Sequence, residues 1–196
     1  MSDLVALWLP IILSAVVCFV ASSIIWMASP LHKHDYKDPG AKEGPLLDLL
    51  KSQSFEPGVY YVPWCGGKGN KDPEAMARVK QGPWGMLIVQ GCAPSMGKML
   101  GLWFFHLVLM SVSIGYIASN ALPHGAEYLK VFQVVGATGF LAYAGYTLPL
   151  SIWHGLPWSQ VPGRIVDGLI YALLTAGIFG WQWPKAALNI PIPGMN

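Results

Sequence analysis

Charge is what this chain has least of: 11% of its residues are charged and 54% are hydrophobic, against roughly 25% charged in an average soluble domain. So few charges exclude an ordinary soluble surface. Four apolar stretches, 5–29, 99–122, 131–153 and 165–183, hold most of the deficit, and only His106 is an ionisable group well inside any of them. Ionisable side chains within a bilayer mark proton relays and ion paths, so their scarcity argues against a pump or transporter. Cysteine is also scarce: Cys18, Cys65 and Cys92 form no CxxC pair and leave an odd count, which indicates neither a disulfide framework nor a zinc ribbon. A net charge of +2, with acidic residues interspersed among the basic ones, excludes a nucleic-acid partner. No Ser or Cys stands at a spacing from His and an acid that nominates a nucleophilic enzyme, so no catalytic activity is expected.

The apolar runs themselves define the class. At 1.5 Å per residue each stretch covers the ~30 Å hydrocarbon core, which predicts an all-α integral membrane protein of four transmembrane helices. The leader before the first run has no Lys or Arg, and the run is longer than a signal core, so it reads as a retained helix. The chain divides into a first helix at 1–29, a small α/β insert at 30–97, a three-helix region at 98–184 and a tail at 185–196. If the helices alternate, ten of the twelve basic residues fall on the side of the insert, leaving Lys130 and Lys185 opposite. The positive-inside rule makes the insert cytoplasmic and both termini outward-facing. Trp8, Trp26, Trp153, Trp158, Trp181 and Trp183 lie near span ends, the headgroup zone these rings favour.

Within the insert, 45–53 carries leucines at helical spacing, 59–63 and 86–90 read as strands, and 72–81 reads as a helix capped by Asp72 with Pro73 at its first position. A two-stranded sheet alone is marginal, so its apolar face has to meet helices, the membrane or a partner. The strands could also bring Cys65 and Cys92 together. The Gly66-Gly67-Lys68-Gly69-Asn70 run lacks the phosphate-loop pattern and reads as a turn.

Small residues recur along the spans. Gly168, Ala172, Ala176 and Gly180 lie four apart on one stripe of the fourth; Ser111, Gly115 and Ser119 do so on the second; Gly136, Gly139, Ala142 and Gly145 lie three apart on the third. Such stripes let helix backbones approach closely, either within the bundle or against another membrane subunit. His106, beside Trp103, Phe104 and Phe105, is a candidate ligand for a lipid-soluble cofactor, whether quinone, haem or chlorophyll-type pigment, but no second histidine stands at its depth. An interhelical hydrogen bond is the plainer role for it. His32, Lys33, His34, Tyr36 and Lys37 follow the first span and read as lipid-headgroup anchors; H-x-H with Asp35 does not complete a metal site. Arg164 and Asp167, three apart where the fourth span begins, can pair on one helix face.

The segments IIWMASPLHKHDYK (24–37) and DGLIYALLTAGIFGWQWP (167–184), with RVKQGPWGMLIV (78–89) between them, resemble a widespread uncharacterised family of small bacterial inner-membrane proteins of about this length. The resemblance implies a bacterial origin and a design of one helix, a cytoplasmic insert and three further helices. It assigns no catalytic residue. The function expected is that of a non-catalytic accessory or scaffold subunit of a larger bacterial membrane complex, of which respiratory and photosynthetic complexes are examples, with lipids and other membrane subunits as partners. The apolar tail 186–194 is a further candidate contact. A cofactor protein built on His106 is the alternative.

Overall fold

The computed structural model describes residues 2–66 and 72–186. Along it run helices α1 (Ser2–Ala6), α2 (Trp8–Ala28), α3 (Glu43–Ser52), α4 (Pro73–Gln81), α5 (Met96–Ala121), α6 (Tyr128–Ala144), α7 (Thr147–His154) and α8 (Val161–Trp181), with strands β1 (Gly58–Val62) and β2 (Gly85–Val89). Four segments are long and apolar enough to cross a membrane: Trp8–Ala28, Met96–Ala121, Tyr128–His154 and Trp158–Trp181. These are the four expected. The third is not one continuous helix, because Pro149 cannot donate to the carbonyl of Gly145 and its ring crowds that carbonyl. The helix stops at Ala144 and restarts at Thr147, with Pro149 tolerated in the first turn of α7.

The chain forms two compact units. The first comprises residues up to Asp35, Met96–Leu148 and those from Trp158 onward. In it α2, α5, α6 and α8 form a bundle in which α6 and α8 share the most extensive interface. The α8 stripe is consumed there: a Cβ on Gly168 would stand 2.7 Å from that of Ala144, one on Gly139 would stand 3.3 Å from Cα of Ala172, one on Gly136 would stand 3.4 Å from Cβ of Ala176, and one on Gly180 would strike the Tyr128 ring. On α5, Ser111 and Gly115 are buried, Gly115 against Phe179 and Ile11, while the Ser119 hydroxyl turns back to donate to the carbonyl of Tyr116. These small residues hold this chain's own helices together, whereas Ala142 and Gly145 of the third stripe are exposed.

Polarity is inverted relative to a water-soluble bundle. On α2 the buried positions are Pro10, Ile11, Ser14, Ala15, Cys18 and Ser22, whereas Leu9, Ile12, Val16, Val20 and Ile24 are exposed. Cys18 lies against the carbonyl of Tyr171 and the hydroxyl of Thr175, and Trp103 donates to Ser22 across the α2–α5 contact. One core, around Leu7, Ile11, Ile114, Val131, Val135 and Phe179, is apolar; a second, around Ala15, Cys18, Leu107 and Tyr171, is bordered by those polar groups. Trp183 departs from expectation. It is buried, donating its indole N–H to the carbonyl of Pro123 at 2.9 Å, so it is a core residue and not a headgroup anchor.

The second unit comprises Tyr36–Ser95 with Pro149–Pro157. Its helix, strand, helix, strand order is as expected, and Asp72 caps α4 by accepting from the N–H groups of Glu74 and Ala75. The strands are antiparallel, pairing Gly58 with Val89 and Val62 with Gly85. Cys65 follows the far end of β1 and Cys92 the far end of β2, so the ladder puts the two thiols at opposite ends and does not bring them together. Val59, Tyr61 and Ile88 on one sheet face are exposed, as are Leu46, Leu47 and Leu49 on α3. The glycine run at 67–69 and the tail at 187–196 lie outside the described residues.

The glycines give a paired test of bundle packing. Gly168→Ala should cost roughly 1–3 kcal/mol through overpacking, whereas Gly101→Ala, with nothing within 4 Å of the added carbon, should be neutral or gain up to about 1 kcal/mol of helix propensity. Unfolding of both variants in graded denaturing detergent, followed by circular dichroism, measures the contrast.

Candidate functional site

Within the first unit, four ionisable side chains, His32, Asp35, Arg164 and Asp167, gather where α2 ends and α8 begins. Pro30 cannot continue α2, and Ser29 leaves the helix in an extended conformation, its hydroxyl accepting from the N–H of Leu31 at 3.1 Å. A single 3₁₀ turn, Pro30–His32, follows. It folds the His32 ring back flat against Trp26, with centroids 3.9 Å apart and planes 4° from parallel. His32 is 7% exposed.

Both nitrogens of that ring face carboxylates. Nδ1 lies 2.8 Å from Oδ2 of Asp35 as a hydrogen bond. Nε2 lies 2.9 Å from Oδ2 of Asp167 on α8, an ion-pair distance without full hydrogen-bond alignment. The start of α8 is shaped for this contact by residues at one-face spacing: Gln160, Gly163, Arg164 and Asp167. Gly163 leaves room for the ring, since a Cβ there would stand 3.3 Å from Cε1 of His32. Gln160 donates to the main-chain carbonyl of Asp35 and accepts from Arg164 at 3.2 Å, and the Arg164 guanidinium lies 5.9 Å over the Trp26 ring. The end of the first span is thereby tied to the start of the fourth.

A neutral imidazole has one N–H and one lone pair, so it can satisfy only one of two flanking carboxylates; the imidazolium satisfies both. Burial alone would pull the His32 pKa down, but the hydrogen bond to Asp35 and the contact with Asp167 outweigh it and hold the imidazole above its ordinary value of 6.5. With His32 protonated, two cations (His32 and Arg164) face two anions.

Several expectations change here. His32 is buried between acids and leaves the headgroup-anchoring set, while Lys33, His34, Tyr36 and Lys37 are exposed. Arg164 and Asp167 make no direct ion pair: Arg164 turns to Gln160 and Trp26, and Asp167 to His32. His106 is exposed on α5 and stacks on Trp103 of the same helix, centroids 5.4 Å apart, in place of an interhelical hydrogen bond. Among the described residues no group of three His, Cys, Asp or Glu side chains is arranged to hold a metal. Gln160 and Gly163 were not singled out from the sequence, their one signal being the 160, 163, 164, 167 face, and Trp26 was read only as a span-end ring, whereas it stacks on His32 and faces Arg164. Comparison with family models, curated proteins and solved structures finds no match to this chain.

Removing the ring tests the arrangement. His32→Ala leaves two facing carboxylates without their cation and should cost roughly 3 kcal/mol, as breaking a buried pair does; His34→Ala, two residues on and exposed, should stay within about 0.5 kcal/mol. Detergent unfolding midpoints at one pH below 6.5 separate the two.

Proposed function

We propose that this chain is a multi-pass protein of a bacterial inner membrane that serves as a non-catalytic accessory or scaffold subunit of a larger membrane assembly. The inverted polarity of the bundle supports placing the four spans in lipid, where apolar outer faces are in their preferred solvent and small or polar residues hold helices together. The excess of basic residues on the side of the 30–97 segment supports a cytoplasmic location for it, with both termini outward. Membership of the inner-membrane family suggested by segments 24–37, 78–89 and 167–184 belongs to the same reading.

The observation that carries the subunit role is the uncovered sheet face. Val59 is 59% exposed and its cross-strand partner Ile88 64%, with Tyr61 beside them. An apolar cross-strand pair outside the candidate spans is a surface suited to a protein partner. The stripe residues that pack inside the bundle, Gly115, Gly136, Gly139, Gly168 and Gly180, no longer argue for one. The His32 ring, with a carboxylate facing each nitrogen and Trp26 against one face, suits a structural role for this histidine. A cofactor at His106 would need a second chain to supply its walls, since that ring stands on an exposed helix face.

Purification from native membranes in mild detergent should recover the chain with stoichiometric partners. The Val59→Asp/Ile88→Asp double variant should keep its helix content and lose them, and a wild-type chain running only as a free monomer would overturn the subunit role. A visible absorption band or an extractable quinone in the pure protein would favour the His106 alternative.

A further inference from the structure

We propose that His32, Asp35 and Asp167 form a one-proton clasp, closed by the imidazolium and opened by loss of its proton, which fastens the turn after the first span to the start of the fourth. The inference is independent of any partner. It rests on the placement of two carboxylate oxygens at 2.8 and 2.9 Å from the two nitrogens of one ring. Deprotonation turns one of those nitrogens into a lone pair facing an anion, so the closed geometry becomes repulsive on one side.

The surroundings focus the effect on this proton. The groups facing the ring are Asp35 from its own turn, Asp167 from α8, and Arg164 from α8 beyond Trp26; Lys33 beside it is exposed, and Gln160 is neutral. Tyr171 follows Asp167 by one turn of α8 and is buried. With the Arg164 guanidinium as the other cation, the cluster passes from balanced charge to an excess of one anion as His32 loses its proton. What is released is small and definite. The turn is held locally by the N–H of Lys33 to the carbonyl of Pro30 and the N–H of Asp35 to the carbonyl of His32, and its tertiary ties are the Asp167 contact, the Gln160 bond and the Trp26 stack.

The sign follows from linkage. The closed-state pKa lies above the open-state value of 6.5, so the clasp is at full strength below 6.5 and weakens as pH rises from there to the closed-state pKa. In that window the opening constant should grow about tenfold per pH unit, and it should be flat on either side.

Hydrogen–deuterium exchange of the full chain in lipid nanodiscs, corrected for the intrinsic rate and read on the peptide covering residues 30–36, measures this between about pH 5.5 and 8.5. Protection should hold at the acid end and fall through the window, while peptides from the α6–α8 interface stay level. Asp35→Asn should flatten the profile, because a neutral imidazole can donate to Asp167 and accept from the new amide. Asp167→Asn, by the mirror arrangement, serves if the first variant does not fold. Wild-type protection that is level across the range, or an Asn variant that keeps the wild-type slope, would overturn the clasp.

Discussion

The close approach of α8 to α6 is the constraint on which the remainder of the bundle depends. With no Cβ at Gly168, the α8 backbone comes close enough to Ala144 that an added carbon would stand 2.7 Å from its methyl. That contact fixes the rotation of α8 about its own axis. Asp167, one residue earlier and about 100° around the helix, is then directed away from α6 and toward the end of α2, where His32 waits. The small residue and the acid are neighbours in sequence because one sets the azimuth that the other uses. A wider separation of α6 and α8 would leave this rotation free and the carboxylate without a defined target.

The two ends of the bundle are built from different materials. Around Phe179, Leu7 and Val131 the interior is apolar and close-packed, whereas toward Trp26 it is lined by Ser22, Cys18, Thr175 and finally the charged cluster. In lipid, burying aliphatic side chains between helices gains little, because the acyl chains outside are equally apolar; fit and polar contacts between helices carry the specificity. The charged cluster accordingly sits at the polar end of the bundle, where α2 has ended and α8 begins.

Much of the fold was legible in the sequence, for reasons that differ by element. The spans followed from hydropathy alone, and α4 from a local rule, Asp72 before Pro73. The strands followed from short apolar runs rich in β-branched and aromatic residues, but their antiparallel register, which separates Cys65 from Cys92, did not. The α8 stripe was visible as a pattern; which surface it met was not, since Gly136 and Gly139 on α6 carry a different spacing. The cluster was the least legible part. His32 reads as one of several polar residues after a helix, and Asp167 as a helix-boundary acid, and nothing local links residues on opposite sides of two intervening spans. A buried ion pair between distant segments leaves no periodicity. Its one trace was Gln160, Gly163, Arg164 and Asp167 on one face, which records that this face meets something without saying what.

The antiparallel ladder has a consequence for redox behaviour. A disulfide needs Cα atoms within about 7 Å, and the five paired residues of β1 and β2 put roughly 13 Å of strand between the two ends from which Cys65 and Cys92 depart. Cys18, the remaining thiol, is sealed between α2 and α8. The ladder therefore offers Cys65 and Cys92 no disulfide with each other, and a disulfide through the exposed Cys92 is a link between molecules.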